Sequence, residues 1–387
     1  HPAAGRRRPR AAWVVVAAIA VGAAVVALVV TGGDGSEPGA GRPGGNGVDE
    51  GETAPPPVVA DRSGGYLANP EELRGRLALA EQGFEPYASA WEELLDAADE
   101  ALGRDPSPEE PLDIPDTQSS FVDDGGDAYA LGIAYAATGD DRYAEAAGDY
   151  VMAWADTTAT LENTCAGRGG ADCQTSLIVS RAAPSFVYAA DLIDPSGRLS
   201  GAERDRLDAW LVDVILPVTS TRTNNWGDAG VLSQYVINDF VGDGDGAAAA
   251  LDRWREQMDL VAEDGHIPEE TRRGSSGILY TQGALSFRVA VAHIADRRGV
   301  DLWSYEGAGG ATLRESLDHL ARYFFEPAEW PFDDGADTPT ISPMWELAYA
   351  RFPDPGLAPI VDEGRPAGDE RKSAVLWTTF TSGVPLE

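Results

Sequence analysis

Apolar residues recur at helical spacing almost without relief after residue 69, and no comparable series of alternating positions marks strands. Asn69, Pro70 and Glu72 supply an N-cap, a first-turn proline and an acid three residues beyond the cap, and Leu73, Leu77 and Ala80 follow on one face. The same spacing predicts helices over 86–102, 128–137, 142–155, 177–192, 202–215, 231–241, 247–261, 278–295, 313–325 and 344–351. Between two of them, Thr138-Gly139-Asp140 joins a C-terminal glycine to fresh capping chemistry, which predicts an antiparallel helical hairpin. Ser200 with Glu203 caps another. About eleven amphipathic helices in short-looped pairs must share a core, and successive hairpins do so by curling into a ring. The expected fold is all-α, an α/α toroid over 63–355, with 356–387 as a C-terminal tail at its edge.

The first 62 residues break this pattern. Arg6, Arg7, Arg8 and Arg10 precede a long uncharged apolar run, so 1–10 is expected to be a basic cytoplasmic end and 11–31 a transmembrane signal anchor. That orientation places the rest outside the membrane, or secretes it if the segment is cleaved. Residues 32–62 are rich in Gly, Pro and acids, including Pro55-Pro56-Pro57, and are expected to form a flexible tether. In such a compartment Cys165 and Cys173 are expected to close a small disulfide loop, since two thiolates without a nearby histidine do not complete a zinc site.

Charge narrows the partners. The chain carries 64 acidic and 29 basic residues, a net charge of -35, and Lys372 is its only lysine. Nucleic acid is excluded as a partner, because phosphate binding needs a basic face. Any polyanionic substrate needs a local cleft lined by arginine.

Candidate chemistry concentrates between Thr223 and Tyr280, in Asn224-Asn225-Trp226-Gly227-Asp228 and in Gly265-His266-Ile267-Pro268-Glu269-Glu270-Thr271-Arg272-Arg273 followed by Tyr280. With Asp127-Ala128-Tyr129 through Asp140, Tyr143-Ala144, Trp154 and Gly299-Val300-Asp301-Leu302-Trp303, these residues make the chain resemble the alginate lyase superfamily. The likeness covers 67–353 and is closest to the mannuronate lyases with an incomplete α/α toroid. It implies that the protein is a polysaccharide lyase taking an acidic polysaccharide, with neither a metal nor a cofactor. Asn225 and Arg273 then neutralise a uronate carboxylate, and Tyr280 serves the leaving oxygen. Asn224, Trp226 and His266 are placed along the substrate.

One position departs from the family. Trp226 stands where the resemblance implies a histidine base, and an indole can only donate. Three expectations follow from that: Tyr280 makes both proton transfers, another group such as His266 substitutes, or the chemistry is lost and a glycan-binding protein remains. Each residue also has a plainer reading. Asn224 and Asn225 can cap a helix starting near Trp226, Arg273 can pair with Glu269 or Glu270, Tyr280 can be half-buried core, and His266 and His293 can be structural. An inverting glycoside hydrolase is the remaining alternative, with Asp228 and Glu269 or Glu270 as its two carboxyls.

Overall fold

The structure, a computed structural model, describes residues 65–114, 119–161, 173–336, 339–368 and 373–386. The cytoplasmic end, the anchor, the tether and Cys165 lie outside these residues, and with Cys165 lies the expected disulfide. Cys173 is described, and is buried at the N-cap of a helix.

Among the described residues the regular elements are helical, with one isolated bridge between Leu112 and Leu161. The chain runs through α1 (Pro70–Glu81), α2 (Tyr87–Leu102), α3 (Ser120–Thr138), α4 (Asp141–Thr157), α5 (Gln174–Ile193) and α6 (Gly201–Trp210). It continues through α7 (Asn225–Val241), α8 (Gly244–Asp259), α9 (Pro268–Thr271), α10 (Gly277–Arg297) and α11 (Leu313–Phe324). Three short helices close it, α12 (Met344–Arg351), α13 (Ala358–Gly364) and α14 (Thr378–Thr381).

The caps act as their spacing predicts. Asn69 and Glu72 exchange hydrogen bonds across the start of α1, and Ser200 and Glu203 do the same at α6. Gly139 ends α3 in the left-handed region at φ 74°, and Asp140 caps α4 directly after it. Helix neighbours follow a circuit, α3 to α5, α7, α10, α12 and α14, then back through α1 to α3. A second layer lies against it, with α4 on α3 and α5, α8 on α7, and α11 on α10. The circuit is the ring that hairpin spacing predicts.

Most helix boundaries move by a few residues from the sequence expectation, and two differences shape the core. Helix α3 begins at Ser120, eight residues before the predicted 128, although 120–127 contains two glycines and three aspartates. Packing overrides propensity there. A Cβ on Gly125 would stand 3.0 Å from the Phe186 ring, and one on Gly132 would stand 3.1 Å from the Ala189 Cα, so the glycines let α3 lie close against α5. Asp124 is satisfied inside, accepting from the Trp154 indole at 2.7 Å and the Ser107 amide at 2.7 Å. The second difference corrects the expected C-terminal tail. Val375, Leu376 and Phe380 are fully buried, Ser382 donates to the Leu67 carbonyl at 3.1 Å, and Tyr87 donates to that of Gly383 at 3.1 Å. Residues 373–386 thus complete the core beside α1 and α2, too short a stretch for helical periodicity to reveal.

Candidate active site

The site begins where the chain crosses the first turns of α7. A Cβ on Gly227 would lie 1.6 Å from the Arg222 carbonyl oxygen, and one on Gly230 would lie 1.9 Å from that of Ser220. Only glycine lets the incoming segment press against α7 so closely. That fixes the start of the helix, where the Asn224 side chain caps it by accepting from the Trp226 amide at 3.1 Å.

Asn225 is the first helical residue and its side chain lies beneath the surface, with 1% of the residue exposed. Its backbone N–H donates to Glu270 Oε1 at 2.7 Å, joining α7 to the short helix α9. Glu270 is wholly buried, and its second oxygen faces Arg273 Nε at 3.2 Å. Arg273, 29% exposed, lays its guanidinium over Tyr280, with Cζ 4.1 Å from the ring centroid. The six residues between them are not one helix, since a single 3-10 turn, Gly274–Ser276, precedes α10. The two side chains meet through that turn rather than by sharing one helix face.

Gly283 follows Tyr280 by three positions on α10, so both lie on one face. A Cβ at 283 would stand 4.0 Å from Asn225 Nδ2 with no nearer neighbour. The bare backbone of Gly283 is thus the open side of the buried amide, next to Tyr280. The structure brings Asn225, Arg273 and Tyr280 together, with Glu270 as their common brace.

Below them Arg288 Nε donates to Asp228 Oδ1 at 2.8 Å, both side chains 1% exposed. Burial pushes the Asp228 carboxyl upward and Arg288 opposes that shift. This pair escapes sequence reasoning; its only trace is one arginine in the apolar stretch of α10. Burial also raises Glu270, to about 7, against the lowering effects of the Asn225 N–H and Arg273. Asp228 is therefore committed to Arg288, Glu270 to Asn225 and Arg273, and Glu269 to an ion pair with Arg272. The open pair of carboxyls that an inverting hydrolase needs is not formed by these three.

His266 is held by an acid and an aromatic cluster. Its Nδ1 lies 2.5 Å from Asp264 Oδ1, and its ring packs 5.0 Å from Phe332 and 5.9 Å from His319. His293 bonds the Leu67 carbonyl at 3.1 Å, and burial lowers its pKa to about 4, so it stays neutral as a structural group. Trp226 carries the Arg222 guanidinium 3.9 Å above its ring, which covers one of the two faces a sugar would use. A cavity of about 1010 Å³ opens at the other end of the helices, near Tyr66, Asp191, Asp239 and Arg298. Two of its arginines are paired, Arg298 with Asp239 and Arg204 with Asp194 and Asp208, and Glu71, Asp191, Asp194, Asp208 and Asp239 outnumber the arginines along its wall, so its lining is unfavourable to a polyuronate.

The alginate lyase family model matches residues 94–330, more than half of the chain and all of this site. The chain belongs to the alginate lyase family. A curated polysaccharide lyase from Stenotrophomonas maltophilia is 25% identical over 279 residues, which cover 67% of this chain and 80% of that one. Among solved structures, alginate lyase A1-III from Sphingomonas species A1 matches with a TM-score of 0.66 and 19% identity over 85% of this chain and 98% of its own. An alginate lyase from Bacteroides ovatus gives a TM-score of 0.64 with 19% identity over 84% and 100% of the two chains. A tyrosine-to-phenylalanine variant of A1-III has been solved with a tetrasaccharide bound. This family member therefore keeps the all-helical ring, and presents on it an arginine stacked on a tyrosine beside a recessed amide.

Proposed function

We propose that this family member is a polysaccharide lyase that cleaves a uronic-acid polymer such as alginate by β-elimination, on an incomplete α/α toroid. The stacking of Arg273 on Tyr280, 4.1 Å apart, is the observation that carries this reading. A guanidinium in that place meets both oxygens of a uronate carboxylate, and the Asn225 amide reaches the same group past Gly283. Held in this way, the carboxylate takes up negative charge as the proton on the adjacent carbon leaves. Tyr280, as phenolate, accepts that proton and returns it to the glycosidic oxygen as its bond to the neighbouring carbon breaks. One phenol then serves both transfers on one face of the sugar, and Trp226 needs no basic nitrogen. That the alginate lyase A1-III binds a tetrasaccharide supports an oligosaccharide as the ligand here.

A glycan-binding protein without turnover is the second reading, and Trp226 in place of the histidine favours it. Residues 63–387 incubated with a panel of polyuronates separate the two readings. Elimination gives an ultraviolet-absorbing unsaturated product, whereas hydrolysis yields reducing ends without it. Arg273→Ala should lose both product and affinity, by about 100-fold or more in kcat/KM. Tight binding by the wild type with neither unsaturated product nor new reducing ends on any polymer would leave only the binding protein.

A further inference from the structure

Glu270 has no part in the elimination as written, yet it is the one fully buried carboxyl that touches both halves of the grip. It sits on a helix of four residues, and its Oε1 is fixed by the Asn225 N–H at 2.7 Å. Oε2 faces Arg273 Nε at 3.2 Å without a well-directed hydrogen bond. The charged groups around it are Arg273 beyond its own helix, Asp228 on α7 and Arg288 on α10, and the last two neutralise each other. A proton arriving from solvent on Oε2 would set O–H against N–H and remove the acceptor that steers Arg273. The backbone link to Asn225 would survive, because the other oxygen remains a carbonyl.

We propose that Glu270 is a positioning residue whose ionised carboxylate holds Arg273 over Tyr280, making the grip a proton-gated device that loosens in mild acid. The inference rests on the lyase reading for its effect on rate, though not for its effect on Arg273. Burial places the titration of Glu270 at about 7, within reach of ordinary conditions. Acid then lowers kcat with little change in KM, since the substrate carboxylate still meets a guanidinium, only less well placed.

The test compares the pH profile of wild-type kcat and KM with those of Glu270→Gln and Glu270→Asp. Glu270→Gln should be slower by roughly 10- to 100-fold in mild base and should lose the acid limb near neutrality. Glu270→Asp should restore a limb, displaced in pH. An unchanged limb and rate in Glu270→Gln would overturn the proposal. Should that variant fail to fold, or the wild type give no unsaturated product, the Arg273 Nε–H resonance of the wild type decides instead, assigned by its loss in Arg273→Lys. A shift with a midpoint near neutrality supports the gate, and a resonance unmoved between about pH 5 and pH 9 contradicts it. Absence of product with a titrating Arg273 would overturn the lyase reading alone.

Discussion

A methyl group at position 283 would meet only the Asn225 amide, at 4.0 Å, and would otherwise replace a helix-interior glycine with a better helix former. Gly283→Ala is therefore expected to gain about 0.5–1 kcal/mol in denaturant unfolding. It should also weaken oligouronate binding by calorimetry, because the methyl narrows access to the amide. Stability and affinity moving together would show that Asn225 is not reached from that side. Glu270 gives a second contrast. Its carboxyl is raised, so the folded chain keeps the proton to higher pH than the unfolded chain, and stability falls between the ordinary carboxylate range and about pH 7. Glu270→Gln should thus gain relative stability as pH rises through that window, by at most about 3 kcal/mol, and the gain should level off above it. Arg273 and Tyr280 were legible in the sequence as residue types, although the turn that stacks one on the other was not. Glu270 was visible only as a salt-bridge partner or one of several interchangeable carboxyls, because nothing in a linear acidic sequence marks which carboxylate is drawn inside.

The first turns of α7 and the segment 219–222 behave as one unit, joined through Gly227 and Gly230. Gly227→Ala would drive a Cβ into the Arg222 carbonyl and should cost about 3 kcal/mol in chemical denaturation. Because the same displacement moves Asn224 and Asn225, oligouronate affinity should fall with it. Retained stability would mean the crossing segment is not fixed as described. Capping residues announced α1, α4 and α6 in the sequence, since a cap is local chemistry. The start of α3 and the course of 219–222 were not announced, because their glycines are explained by a neighbour distant in sequence. The Asp228–Arg288 pair is hidden for the same reason, and Asp228→Asn should cost roughly 3–5 kcal/mol by leaving Arg288 buried without its counter-charge.

Across the molecule, α14 packs against α1, so the C-terminal residues are structural rather than appended. The all-helical ring was legible from hairpin spacing. Its last segment was not, since α14 has only four residues. Net charge sets the remaining expectation. A molecule of charge -35 repels a polyuronate at long range while Arg273 attracts it at short range, so KM for the polymer should fall as salt rises from about 10 to 100 mM. In the proposed elimination one phenol beside one arginine does the work without the histidine. The rate of unsaturated-product formation by Tyr280→Phe tests it most directly, alongside the wild type at equal polymer occupancy. A loss of about 100-fold or more in kcat, with binding preserved, is expected. A phenylalanine variant that still eliminates at the wild-type rate would contradict it.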